Sequence, residues 1–444
     1  MTTTSSTTRL LGAFVVIVRV ALVLALIAVI TPMVAGESGV LDRLINRGRP
    51  VDAWTEASVV FTRDGATPAQ RRKLRSQLQA HMAHHATLSV RFMRATVSGD
   101  PGFVDAANAV LVRNTDDIRQ TLQPALGDTH ATAFADAWEQ HTRHLFSYAA
   151  GVRDDDKAAM DEAKTQLSEY VSTQSTLLEE ATKGQLSASL AATKLQMQID
   201  LLLFQIDAYG THNYAQAYEL ERAAFANMYT LGAAVAAAAA GKDPQNIATS
   251  PREETASSLA LLMDEHVELS IDVVRAGASG ASEFGAAASA LDDNTADVTA
   301  ALDTLLGARR AQRFNRRWVT HVDQLMRYTV AVAENDVEAR TTLQRKLDKT
   351  MSGFGPALAK ATGGKVKAKA IANDMTTHQY QMLDQISAYI NSDYERAHDT
   401  AYDAYVHMNG VAQRLGNALG KAVRDGLPRG GAATGGGGTA TPAT

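Results

Sequence analysis

The chain has 444 residues, 45% hydrophobic and 20% charged, with a net charge of −5, ten prolines and no cysteine. Such a length and apolar fraction exclude wholesale disorder and predict two or three domains with real cores. The missing sulfur excludes a disulfide-stapled fold, a thiolate metal site and a cysteine nucleophile. The negative balance argues against nucleic acid as a partner, which needs a basic face.

The first element, residues 1–36, reads as a signal peptide or a membrane anchor. A short polar start with Arg9 precedes a run that is apolar apart from Arg19 and Thr31-Pro32. Its uninterrupted stretch, residues 20–30, has the length of a signal-peptide hydrophobic region. If Arg19 snorkels to the headgroups, the same run stays as an anchor. The only membrane contact expected is therefore through this segment, and the rest is expected outside the cytoplasm. Residues 37–66 read as a linker. The protein partner is left open.

The body reads as all-α. Between residues 125 and 243, and between 252 and 355, there is no proline, and both stretches are rich in Ala, Leu, Gln and Glu, which favours helix. Thr67-Pro68 and Ser250-Pro251 each read as an N-cap followed by proline in the first turn. Matches recur at an offset of 180 or 181: His85 with His266, Asn114 with Asn294, Trp138 with Trp318, His141 with His321, and Tyr209 with Tyr389. A colinear set of this kind implies tandem duplication. Breaker residues recur about every 28 positions, near Gly99, Gly127, Asp155, Gly184 and Gly210, and again near Gly280, Gly307, Asn335, Gly363 and Asn391. The spacing predicts two up-and-down bundles of about six helices each, at 67–243 and 250–427. A Gly/Ala/Thr-rich tail at 428–444 reads as disordered.

In the second bundle, His266, Asn294, His321, His378 and His407 lie at similar distances from the turns between them. In antiparallel hairpins this puts them at one height near the middle, on five helices. Apolar neighbours at i±3 and i±4 turn His266 and His321 inward. Neutral imidazoles converging inside a bundle can hold a metal. Copper or zinc is the expected ion. Met263 and Met375, three residues before His266 and His378, add thioethers that suit copper. The competing reading is a buried His/Asn/Trp/Tyr network that only fixes packing. The first bundle keeps His85, Asn114 and His141 but has Gln198 and Asn227 in place of His378 and His407. With two imidazoles it is expected to hold a metal poorly or form a network. His81, His84 and His144 read as a solvated face, while His130, His212 and His398 fall near turns or outer faces.

No G-x-S-x-G elbow, P-loop, dinucleotide fingerprint or H-E-x-x-H helix is present. The histidine layer has no evident general acid or base, so storage, sensing or transfer is favoured over catalysis. The run Arg71-Arg72-Lys73-Leu74-Arg75 reads as a solvated basic face, or as a contact for anionic headgroups if the leader is an anchor.

The repeated pattern, read from Leu262 to His266, Asn294-Thr295, Trp318 to His321 with Tyr328, and Ala404 to Met408, resembles a loosely defined group of exported bacterial proteins with tandem helical-bundle units. The resemblance covers most of residues 80–420. Some members carry copper-related labels, and no site is carried over from them. The function expected is an exported or membrane-anchored metal-binding protein. The alternative is a non-catalytic cell-envelope scaffold.

Overall fold

The computed structural model describes residues 66–246 and 249–424. The leader, the linker up to residue 65 and the tail lie outside these described residues. What is described is entirely helical, apart from connections. The first six helices are α1 (Pro68–Ser98), α2 (Pro101–Leu126), α3 (Asp128–Asp154), α4 (Lys157–Ala181), α5 (Ala188–Gly210) and α6 (Tyr214–Ala239). A short 3₁₀ turn, Pro244–Asn246, leads to α7 (Pro251–Ser279), α8 (Phe284–Leu306), α9 (Ala308–Ala333), α10 (Val337–Ser352), α11 (Phe354–Ala361), α12 (Ala368–Ile390) and α13 (Tyr394–Arg424). No helix among the described residues is long and apolar enough to cross a membrane.

Local chemistry sets the boundaries. Thr67 accepts from the Gln70 amide while Gln70 Oε1 accepts from the Thr67 amide, and Ser250 and Glu253 do the same at α7. Each is a capping box with proline just inside the helix. At the other ends of α1 and α7, Gly99 and Gly280 take φ of 76° and 62°, a conformation that costs glycine little. One break lies outside the expected set. Pro356 cannot donate to the carbonyl four residues earlier, and the helix that would match α4 is interrupted at Gly353 into α10 and α11.

In each half, alternate helices form the interior. α1, α3 and α5 touch one another, with α2, α4 and α6 filling the gaps between them. α7, α9 and α12 repeat this inner triangle, surrounded by α8, α10–α11 and α13. One core is built around Leu78, Trp138, Leu167 and Leu231. The other is built around Trp318, Leu347, Met382 and Met408, and it continues into Ala80, Ala83, Phe225 and Tyr229 of the first half.

The halves meet along α1 and α7, flanked by α2 on α13 and by α6 on α8. Small apolar patches close both flanks, with Leu88, Phe103 and Tyr402 on one side and Leu269, Leu291 and Tyr218 on the other. Both central helices are therefore buried on every face, from Leu78 to Thr96 and from Met263 to Ala276. This corrects the expectation of a solvated histidine face. His81 and His84 are 2% and 1% exposed, His84 because Glu268, Tyr402 and Tyr405 of the second half cover it, and His144 alone stays partly exposed. His398, expected at an outer face, is buried against Phe103 for the same reason.

The polar side chains of this seam pair with each other. Arg91 on α1 reaches Glu268 at 2.6 Å and Asp272 at 3.0 Å on α7, and also the Glu268 carbonyl at 2.8 Å. Arg94 pairs with Glu221 at 2.9 Å, and Arg275 with Glu283 at 3.1 Å. His84 Nε2 lies 3.2 Å from Glu268 and its ring stacks on Tyr405. Burial raises Glu221 to about 8, against the pull of Arg94, and raises Asp264 well above the carboxylate range although Asn409 donates to it. Asp272 is buried too, but Arg91, Arg275 and Arg94 outweigh this and hold it low. The guanidinium groups of Arg91, Arg94 and Arg275 thus each face an acidic side chain, Glu268 and Asp272, Glu221, and Glu283, and this pairing is what makes their burial tolerable.

Arg91→Met strands Glu268 and Asp272, and the expected loss is about 3–5 kcal/mol of unfolding free energy. Denaturant unfolding checks it, and a loss below about 1 kcal/mol would show that the seam does not hold the halves together. Gly232→Ala places a Cβ 2.5 Å from the Leu78 carbonyl oxygen. Helix propensity alone would stabilise it, yet the clash predicts a loss of about 1–3 kcal/mol, measurable by thermal melting.

Candidate functional site: a histidine layer at mid-height

The inner triangles carry the layer residues. His85 is on α1, Trp138 and His141 are on α3, and Gln198 is on α5. In the second half His266 is on α7, Trp318 and His321 are on α9, and His378 is on α12. All are buried. The structure therefore brings the three inward histidines of the second half into one row. Ring centroids are 6.3 Å apart between His266 and His321, and 6.3 Å between His321 and His378.

The outer helices supply a different set. Asn114 on α2 donates to the His81 carbonyl at 3.0 Å, and Asn294 on α8 donates to the Leu262 carbonyl at 3.0 Å. Asn227 on α6 donates to the Lys194 carbonyl at 3.1 Å, and His407 on α13 donates through Nε2 to the Asp374 carbonyl at 2.9 Å. In all four cases the accepting carbonyl lies four residues before the layer residue of an inner helix. A helical carbonyl has a second lone pair to offer, so each contact pins an outer helix to an inner one at the same height. Asn294 and His407, expected in the layer as candidate ligands, belong to this clamping set. Asn294 also gives Nδ2 to Glu265 at 2.7 Å. Glu265 in turn is paired with Arg222, which reaches across from α6. Met263 and Met375 are buried in the second core one turn before His266 and His378.

The two layers are finished differently. In the first half His85 Nε2 and His141 Nε2 are 3.3 Å apart, so one proton links the two rings. His85 Nδ1 faces both Asn114 Oδ1, at 3.1 Å, and the Trp138 indole N–H, at 3.0 Å. It donates to the first or accepts from the second, and the tautomer decides which contact is the hydrogen bond. Tyr170 stacks on His141, with centroids 4.5 Å apart, and Asn227 donates to Gln198 Oε1 at 3.1 Å.

In the second half Trp318 Nε1 still points to His266 Nδ1, at 3.3 Å, and Ser270 Oγ lies 3.4 Å from its Nε2. Beyond His266 the network stops. His321 Nδ1, His378 Nδ1 and Asn294 Oδ1 are buried with no hydrogen-bond partner, as are His141 Nδ1 and Gln198 Nε2 in the first half. Among the described residues, no three His, Asp or Glu side chains stand at metal-ligand spacing.

Burial keeps these rings neutral. It lowers His85 and His266 to about 3 and His321 to about 4, and it lowers His378 and His141 well below the ordinary value. His407, nearer the surface, is lowered too, mainly by burial, although the Asp374 carbonyl works against it. A neutral imidazole keeps a lone pair, which is the form that can ligate a metal.

These shifts fix a pH profile. Each buried histidine binds a proton more readily unfolded than folded, so its contribution is present above about pH 6.5 and declines below it by about 1.4 kcal/mol per pH unit. Glu268 and Glu221, raised to about 7 and 8 by burial, have the opposite sign. Their contribution is lost as pH rises through those values. Unfolding free energy is expected to peak near pH 6.5, with a steep acid limb from several histidines and a shallower alkaline limb. Urea midpoints between pH 4.5 and 9 check it, and a flat acid limb would contradict the buried neutral rings.

No protein-family model, curated protein or solved structure matches the chain, so the functional reading rests on this geometry alone.

Proposed function

We propose that this is an exported or membrane-anchored protein, built by duplication of a six-helix bundle, whose second half holds a copper or zinc ion. Its ligands are His266, His321 and His378, one from each inner helix. The observation that carries this reading is the pair of buried, unpartnered Nδ1 atoms on His321 and His378. Leaving such atoms unpaired in an apolar interior is costly, and a bound cation would offset the cost.

The spacing calls for a rearrangement of the row. With metal–nitrogen bonds of about 2.0–2.1 Å, tetrahedral imidazole ligands have centroids about 5 Å apart. The 6.3 Å separations on either side of His321 would have to close by about 1 Å, and the end rings, His266 and His378, would also have to swing toward each other. Met263 and Met375, buried in the same core, tilt the choice toward copper in its soft, reduced state. Asn294 and His407 serve as helix clamps in this reading. His85 and His141 serve as a structural pair in this reading, since their Nε2 atoms already share a hydrogen bond, although His141 Nδ1 is unpartnered too. The absence of an evident acid or base at the layer favours storage, sensing or transfer over catalysis.

The outer-to-inner clamps common to both halves, and the unpartnered His141 Nδ1 of the first, favour one rival, a cell-envelope scaffold in which both layers only set helix register. Metal analysis of the purified full chain, with copper(I) and zinc(II) titration, separates the two. The proposal expects about one equivalent of metal, lost in His321→Ala/His378→Ala and kept in His85→Ala/His141→Ala. If no metal binds and the first double variant only lowers the melting temperature, the scaffold reading replaces it.

A further inference from the structure

A groove of about 650 Å³ opens at the end of the molecule where α1 and α7 begin and α6 and α13 finish. Its volume falls within the range of small-molecule sites. Two kinds of surface line it. Ala236, Ala237, Ala240 and Ala256 give an apolar wall with no bulky side chain to fill the space. The rim carries Arg71, Arg72, Lys73, Arg75 and Lys242 against a single carboxylate, Glu253. The basic run read from sequence as a solvated face is therefore one side of a concavity.

The cations are not equally committed. Arg71 donates Nη1 to the Ala66 carbonyl, and Arg72 stands 3.6 Å from Glu253. Arg75 has its Nε buried with no hydrogen-bond partner. The amide ends of α1 and α7 are not the attraction, since each is already closed by its capping box. What remains is a guanidinium whose Nε has no acceptor, cationic neighbours, and an alanine surface beside them.

We infer that this groove binds an anionic amphiphile, its phosphate or carboxylate head held by Arg75 and the neighbouring basic rim and its short aliphatic chain laid against the alanine wall. A guanidinium pairs well with such oxyanions, and an apolar chain gains by leaving water for the alanines. Both halves of the groove are needed, which separates this from a site for a free inorganic anion. The groove shares no residue with the histidine layer, so the inference stands apart from any metal there.

The test is calorimetric titration of the full chain, held in phosphatidylcholine nanodiscs, with hexyl phosphate, inorganic phosphate and hexanol. Empty nanodiscs give the blank. Hexyl phosphate is expected to bind about tenfold or more tighter than either of the others. Arg75→Gln is expected to weaken it by about tenfold. Ala237→Leu, at a partly exposed position of the wall, is expected to weaken hexyl phosphate while leaving inorganic phosphate unchanged. Circular dichroism of both variants confirms that they fold. Equal affinity for hexyl phosphate and inorganic phosphate would reduce the groove to a simple anion site and overturn the proposal. So would wild-type affinity in folded Arg75→Gln, or heat no greater than the blank.

Discussion

The architecture depends on burying charge between α1 and α7. Arg91 joins the two helices through Glu268 and Asp272, and around it residues 78–96 of one and 263–276 of the other are hidden from water. Unpaired, any one of these groups would cost more than the surrounding apolar contacts could repay. Paired, they let polar helices serve as the central wall of the molecule. The consequences reach the histidine layers, since His85 and His266 are carried on these same two helices.

A second regularity organises the layers. Inner helices present the side chains that meet at the axis, and outer helices reach in to the carbonyl four residues before them. The same hydrogen bond is made by asparagine at 114, 227 and 294 and by histidine at 407. Chemically different residues can thus share a place because the requirement there is for an N–H donor of suitable reach. The difference between the halves lies on the axis itself. Tyr170, Gln198 and a close histidine pair fill one side, whereas three separate imidazoles line up on the other.

Much of this was legible in the sequence. The helix boundaries followed from caps, glycines and prolines, and the common height of the histidines followed from their distances to the turns. Two things were hidden for physical reasons. Arg91, Arg94, Glu268 and Asp272 have the composition of a solvated face, and only the packing of one half on the other shows that they are buried. Height also says nothing about azimuth. Asn294 and His407 share the level of His266 and His321, and which of them faces the axis depends on whether its helix is inner or outer. The interruption at Gly353 had its signal in Pro356, the proline that ends the second proline-free stretch.

Arg91 and Asp272 hold corresponding places, 181 residues apart, on α1 and α7. The seam is therefore complementary between unlike helices and repulsive between like ones. Two first halves set face to face would bring Arg91 against Arg91, and two second halves would bring Asp272 against Asp272. In a molecule made of two similar bundles, this charge inversion disfavours the pairing of like halves, whereas first and second halves fit.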